Sequence, residues 1–448
     1  MIDREQLPEL NNFEKIEASL PIKENSAFGN LVVPNGNNAK AGHRWFKYKE
    51  AFSSELLKAV LDLIKVNLSD YNTFKLLDPY CGVGTSLLSA TLLDTKVTAI
   101  GIECNPFSSF IATTKLSWPN IEPAKLREHA KILLASKGDD VFELPSLSSI
   151  SAGRCISAHM SQNIMRMRNA IEDLEASPER EALKLGLAAT IEPVSKIRRD
   201  GRALRIVEKP PVRFRSILTE QWENIANDIE YLKNCHPLPG ESSVIYGDGR
   251  DPIGAGVDVD SIDLVFTSPP YPNNIDYNEV YKLELWFLGF VSDSEKFLSL
   301  RKSTFRSHPA CSTIDGEAAD LGDEFKFLLG DGALQTLLKP VLKRAETLEN
   351  EQKRGRSKVL LGYIYDTWRS LEAHFRALRS GGRAVYTVGN SLHGNSEMPY
   401  LIPTDLIIAE LGKQIGFQVD NVVVARGLKR RLAGNHFLRD SIVILRKP

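Results

Sequence analysis

Lys75-Leu76-Leu77-Asp78-Pro79-Tyr80-Cys81-Gly82-Val83-Gly84-Thr85-Ser86 reads as a short buried strand that turns sharply into a helix. The apolar run with its closing carboxylate is the strand, over Lys75–Cys81. Gly82 and Gly84 let the backbone turn tightly and come close to a ligand without a Cβ in the way. A helix then starts near Ser86, and Val97–Glu103 is a second strand, with Pro106 opening another helix. Strand, turn, helix, strand is the rhythm of a doubly wound sheet.

Outward from this unit the rhythm recurs. Ser242–Gly247 and Ile262–Phe266 are two further strands, Arg383–Val388 follows Gly381 and Gly382, and Val422–Ala425 with Ser441–Leu445 forms an antiparallel closing pair. Upstream, helical spacing runs from Ala51 through Leu56, Leu57, Val60, Leu61 and Ile64. Two stretches break the pattern: 116–240 and 292–356 exceed what a βα connection needs and are rich in helix formers and charge, so they read as inserted subdomains. The organisation expected is an arm (1–42), a first core part (43–115), an insertion (116–240), a second core part (241–291), a second insertion (292–356) and a last core part (357–448).

The chain has 448 residues, 42% hydrophobic and 25% charged, with a formal net charge of −1, so any polyanion site must come from local clustering of positive charge. Cys81, Cys104, Cys155, Cys235 and Cys311 show no CxxC spacing, and the histidines form no metal-binding pattern. No metal is expected, and a reducing cytoplasm fits. No apolar run approaches the ~20 residues needed to span a bilayer, and the polar, acidic start is unlike a secretory signal, so no membrane partner is expected.

Two constellations carry chemistry. In the first, Glu103 ends its strand 21 residues after Gly82, the offset at which a carboxylate reaches the hydroxyls of a ribose. Asp78 ahead of the glycines suits a ligand with a positive amino-acid end, and Leu87 stands where a dinucleotide fingerprint has its third glycine. Together these favour S-adenosylmethionine over NAD. Asp248 closes the third strand and is placed to accept from an adenine amino group. In the second, Thr267-Ser268-Pro269-Pro270-Tyr271 follows the strand ending at Phe266. Consecutive prolines fix φ and supply no N–H, leaving rigid carbonyls free to accept. An aromatic amine is a poor nucleophile, and N–H bonds to the Ser268 oxygen and the Pro269 carbonyl would draw its nitrogen towards a tetrahedral shape. Tyr271 offers a ring on which a flipped base can stack.

Asp78–Ser86 and Thr267–Tyr271 resemble the cofactor and catalytic motifs of the amino-group DNA methyltransferases, the N4-cytosine and N6-adenine family. Arg44–Phe52 resembles the family's cofactor-flanking motif, and Arg439–Lys447 its final strand. The order, cofactor site then insertion then catalytic loop, is that of the α-like subgroup. The resemblance implies a Rossmann-like class I methyltransferase fold, α/β, with a seven-stranded, mostly parallel sheet, an antiparallel end strand and inserted helical regions. It also implies that Tyr48, Phe52, Asp78, Tyr80, Gly82, Gly84, Thr85, Glu103, Cys104, Asp248 and Thr267 bind S-adenosylmethionine, and that Ser268, Pro269, Pro270 and Tyr271 form the catalytic loop. Ser at position 268 goes mostly with cytosine N4 in that family and Asp with adenine N6. The activity implied is therefore cytosine-N4 methylation of double-stranded DNA in a restriction-modification or phage-defence setting, with a cognate restriction or defence protein as the other partner. Adenine N6, an RNA amino-methylase and an inactive DNA-binding protein are the other readings.

For DNA, Lys196–Arg215 carries eight basic residues against two acidic ones, with Arg198, Arg199, Arg202, Arg205, Arg213 and Arg215 as phosphate or base contacts. Asn273 and Asn274 could line the base pocket, and Lys429, Arg430 and Arg431 form a second backbone clamp. His43 and His393 read as structural or exposed, since methyl transfer to an amine needs no strong general base.

Overall fold

The computed structural model describes residues 4–136, 142, 155–199, 204–273, 275–311, 330, 332–352, 356–428 and 437–448. Its strands, in chain order, are β1 (Ile22–Glu24), β2 (Phe74–Asp78), β3 (Val97–Glu103), β4 (Ile197–Arg199), β5 (Leu204–Ile206), β6 (Ser243–Tyr246), β7 (Ile262–Thr267), β8 (Leu378–Gly389), β9 (Ser391–Gly394), β10 (Pro399–Ile402), β11 (Gln418–Gly427) and β12 (Arg439–Arg446).

One eight-stranded sheet organises the molecule, in the order β1-β11-β12-β8-β7-β2-β3-β6. Its pairs are parallel except those of β12, which runs antiparallel to both β8 and β11. Two expectations are corrected here. The strand count is eight rather than seven, because the N-terminal segment adds β1 parallel to β11, from Ile22 beside Val422 to Glu24 beside Val424. A three-residue strand has too little alternation to be read in a sequence, and it forms because the edge of β11 offers unpaired backbone groups. The antiparallel strand is also not at an end of the sheet: β12 lies inside it, and seven of its eight residues are buried. Coverage on both faces is why its middle, Ile442–Leu445, is continuously apolar rather than alternating.

The helix Leu56–Leu63 begins later than its apolar spacing suggests. Asn37 is the reason: its side-chain amide donates 2.8 Å to the Phe52 carbonyl and its oxygen accepts 2.8 Å from Ser54 N–H, which holds 52–54 against the arm. The helix Pro106–Leu116 starts where its chemistry dictates, with Pro106 in the first turn and Asn105 accepting from the N–H groups of Phe107 (2.9 Å) and Ser108 (3.0 Å).

The 116–240 stretch contains the helices Pro123–Ala135, Ala158–Glu172, Pro178–Val194 and Phe214–Cys235 and the antiparallel β4–β5 ribbon. Their apolar faces share one core with Trp45, Phe46, Phe107 and Tyr281, so the insertion is packed directly against segments that lead into the cavity described below. Opposite, the helices Gly332–Gln352, Arg356–Ala377 and Thr404–Ile415 and the arm helix Leu10–Glu17 cover the other face of the sheet.

Candidate active site

An open cavity of about 1020 Å³ lies at the carboxyl ends of β2, β3, β6 and β7. Strand ends of an open α/β sheet are where backbone and side chains turn away from the ladder and become available to ligands. The glycine loop after β2 forms its floor. Gly82 (φ 53°) and Gly84 (φ 74°) occupy left-handed backbone, and a Cβ on Gly84 would meet Ala112 Cβ at 2.9 Å. Glu103, at the end of β3, accepts from Gly82 N–H (2.9 Å) and Asn105 N–H (2.7 Å), which orients its carboxylate along the wall. Burial raises its pKa to about 7 even though those amides pull it down.

Asp78 is tied in differently. Its carboxylate accepts from Thr267 Oγ1 (2.7 Å), Tyr80 N–H (3.2 Å) and the Ser86 hydroxyl, and burial raises its pKa to about 6. The two motifs singled out in the sequence are thus joined through one carboxylate. Tyr48, Phe52, Tyr80, Gly82, Thr85, Cys104 and Asp248 also line the cavity, whereas Thr267 is fully buried behind it and Gly84 shapes the loop from underneath. Tyr48 stacks on Tyr281 with centroids 4.9 Å apart, and Phe52 packs edge-on to Phe266 at 5.3 Å.

The loop after β7 brings Ser268 and Pro270 to the cavity. Ser268 Oγ donates 3.1 Å to the Thr387 carbonyl of β8 and lies 2.9 Å from the Tyr271 hydroxyl. Tyr271 also donates to that carbonyl, at 3.2 Å. Pro269 and Tyr271 are not among the lining residues; the Tyr271 ring packs against the sheet's core beside Gly389. Asn273 accepts from Ile275 N–H at 3.1 Å within the following turn, and Asn274 lies outside the described residues.

Several walls had no motif to announce them. Glu50, Asn105, Asn278 and the stretch from Ser303 to His308 all border the cavity. That last stretch is held by a charge network centred on the buried Asp366. Arg250 grips Asp248 with three contacts of 2.7–2.9 Å, reaches Asp366 at 3.0 Å and donates to the Ser303 carbonyl at 3.1 Å. Arg306 closes the circuit on Asp366 at 2.7 Å, and Phe305 meets the Tyr80 ring edge-on at 5.7 Å. Only Asp248, just after β6, was available as a signal; the other partners of Arg250, Ser303 and Asp366, lie 53 and 116 positions downstream of it.

No family model matches this chain. Over nearly its whole length it is similar to Type II methyltransferases. It is 25% identical over 461 residues to Type II methyltransferase M.AvaI of Nostoc sp. and to that of Anabaena variabilis, covering 93% of this chain and 89% of the relative in each case. Against Type II methyltransferase M.BsoBI of Geobacillus stearothermophilus it is 24% identical over 472 residues, covering 95% and 90%.

Among the basic residues assigned to DNA, the structure separates surface from core. Arg198, Arg205, Arg213 and Arg215 are exposed, with Arg198 beside Arg205 across the β4–β5 ribbon. Arg215 donates to the carbonyl of Ser136 at 3.2 Å and to that of Leu134, at the end of the helix Pro123–Ala135. Arg199 is a correction. It is 2% exposed, ion-paired with Glu192 (2.5 Å) and Glu284, and lies 4.6 Å over the Tyr281 ring, so it is a buried tie rather than a phosphate contact. Alternation along the ribbon turns Arg198 outward and Arg199 inward. Arg202, Lys429, Arg430 and Arg431 lie outside the described residues. Among the described residues no helix is long and apolar enough to cross a membrane, and no group of metal-ligating side chains is gathered.

Proposed function

We propose that this chain is an S-adenosylmethionine-dependent DNA methyltransferase of a restriction-modification system that methylates the exocyclic amino group of a flipped base, cytosine N4. The observation that carries this reading is the convergence of Glu103, Gly82, Val83, Thr85, Asp248, Ser268 and Pro270 on one cavity at adjacent strand ends. The near-full-length similarity to Type II methyltransferases supports it.

The residues present fit the cofactor. Gly82 leaves the floor open, Glu103 presents a carboxylate for ribose hydroxyls, and the buried Glu50 Oε1 faces the site without a donor of its own. When bound, S-adenosylmethionine supplies a methyl group on a sulfonium centre. The chain's own contribution is to shape the acceptor. With its proton committed to the Thr387 carbonyl, Ser268 Oγ keeps lone pairs for an amino N–H of the base. The Pro269 carbonyl, which has no ladder to join, would take the other. Two acceptors then withdraw the amine from conjugation, and positioning supplies most of the rate. Tyr271 braces Ser268 from behind by sharing its carbonyl anchor.

A thiolate mechanism has no support here. Cys81 and Cys104 line the cavity, but burial pushes both thiols up, so they stay protonated near neutral pH. The cytosine assignment rests on Ser268, and the exposure of Arg198, Arg205, Arg213 and Arg215 supports their proposed role as DNA contacts. The test is to incubate the protein with S-adenosylmethionine and DNA or RNA, hydrolyse, and identify the product nucleoside by mass spectrometry. N4-methylcytosine from DNA is expected. N6-methyladenine would overturn the base assignment alone, and no modified nucleoside from either polymer would overturn the enzyme.

A further inference from the structure

We propose that Arg250 is a positioning residue that sets which nucleobase the cofactor cavity accepts, by holding the Asp248 carboxylate and the Ser303–His308 wall in one fixed relation. This inference rests on the cofactor reading given above. Asp248 lines the cavity with a side chain that is 51% exposed, so on its own it would sample several rotamers. The Arg250 guanidinium removes that freedom: Nε lies 2.9 Å from both carboxylate oxygens and Nη2 lies 2.7 Å from Oδ2. Nη2 also reaches the Ser303 carbonyl and Nη1 the buried Asp366, so four of its five N–H groups are committed. Arg250 does not figure among the described residues that line the cavity. With its charge already shared between two carboxylates, it is a brace and not a ligand.

The brace is anchored on one face of the helix Arg356–Ala377. Asp366, Ser370 and His374 stand at every fourth position, which sets them in a row along that face. Asp366 takes Arg250, and also Arg306 through its backbone N–H (2.9 Å) and its Nη1 (2.7 Å). The Ser370 hydroxyl lies 2.5 Å from that of Tyr80, and His374 Nε2 donates 3.2 Å to the Gly249 carbonyl. Glycine is required between Asp248 and Arg250, because a Cβ there would collide with the Pro79 carbonyl oxygen. Tyr80, Asp248, Ser303 and Phe305 all line the cavity, and this row holds the first directly and the next two through Arg250. A carboxylate fixed there accepts from the amino group of adenine and repels the ring carbonyl of a 6-oxo base. Selection of that kind is sharp only where the acceptor cannot swing away.

Dissociation constants measured by calorimetry for S-adenosylhomocysteine and its 6-oxo analogue, S-inosylhomocysteine, test this. The wild type should prefer the amino compound by about a hundredfold, a charge-assisted hydrogen bond being exchanged for a repulsion. Arg250→Lys keeps a positive charge between Asp248 and Asp366 without the fork, and Arg250→Met removes both. Each should lower the preference by about tenfold. The two compounds are compared within each variant, so any general loss of stability cancels from the ratio. Equal weakening of both compounds would mean that Arg250 only holds the fold and would overturn the proposal, as would a preference unchanged in the two variants. A wild type that binds both compounds alike would also overturn it, since Asp248 would then not read the base. Binding of neither compound by the wild type would defeat the cofactor reading itself.

Discussion

The Thr267 hydroxyl donates 2.7 Å to the Asp78 carboxylate, joining residues 189 positions apart at the ends of neighbouring strands. Both side chains are buried, so the bond is shielded from water and from salt. It fixes the height of the Ser268–Tyr271 loop relative to the glycine loop. Thr267→Val keeps the shape and removes the donor, leaving a buried carboxylate one bond short. The expected loss is about 1–3 kcal/mol in denaturant unfolding, with the Asp78 pKa driven further up. A Val variant as stable as wild type would show that the two loops are positioned independently.

Glu103 gives a pH signature. Its folded-state pKa is raised from 4.5 to about 7, so between those values the native protein keeps a proton that the unfolded chain has lost. The sign follows: its contribution to stability is complete below about pH 4.5 and disappears as pH rises through 7. Glu103→Gln cannot titrate. The stability of wild type relative to this variant should therefore fall by about 3 kcal/mol between pH 4 and pH 8 in the cofactor-free protein. A difference that stays flat, or grows with pH, would mean the carboxylate is ionised throughout.

Ser268 separates binding from chemistry. Ser268 lines the cavity, and its hydroxyl donates to the Thr387 carbonyl. Ser268→Ala is expected to lower kcat for methyl transfer by about 10²-fold, with S-adenosylhomocysteine affinity unchanged within about twofold. Loss of cofactor affinity to the same extent would place the loop in the wrong half of the site.

The arginines of the 116–240 insertion divide into two kinds. Arg198→Ala with Arg213→Ala should weaken DNA binding and reduce the salt slope by about two, close to 0.9 for each phosphate contact, with the melting temperature unchanged. Arg199→Ala should instead unfold the region, since Glu284 would be left buried without its counter-charge. An Arg199→Ala protein that melts normally but loses DNA affinity would reverse the two roles.

Much of the site was legible because its two loops are built from residues whose backbone behaviour is local. Glycines at 82 and 84 announce left-handed turns, and both do adopt positive φ. Pro269 and Pro270 announce a loop that cannot join a ladder. The strands β3 and β7 were readable because each carries a short, largely buried apolar run, Ala99–Ile102 in β3 and Leu264–Phe266 in β7. The edge strand β1 was not, being three residues long and stabilised wholly by its neighbour.

What the sequence by itself determined is therefore the alternating α/β order and the two loops at strand ends, since each depends on φ restrictions and hydrophobic period within a dozen residues. Tertiary structure alone decided which charges are buried. Arg198 and Arg199 are adjacent and chemically identical, yet one faces solvent and the other sits between Glu192 and Glu284. Glu50 and the wall from Ser303 to His308 reach the cavity only because distant elements pack together. Burial, which sets the electrostatic worth of a charge, is a property of the packed fold and not of local sequence.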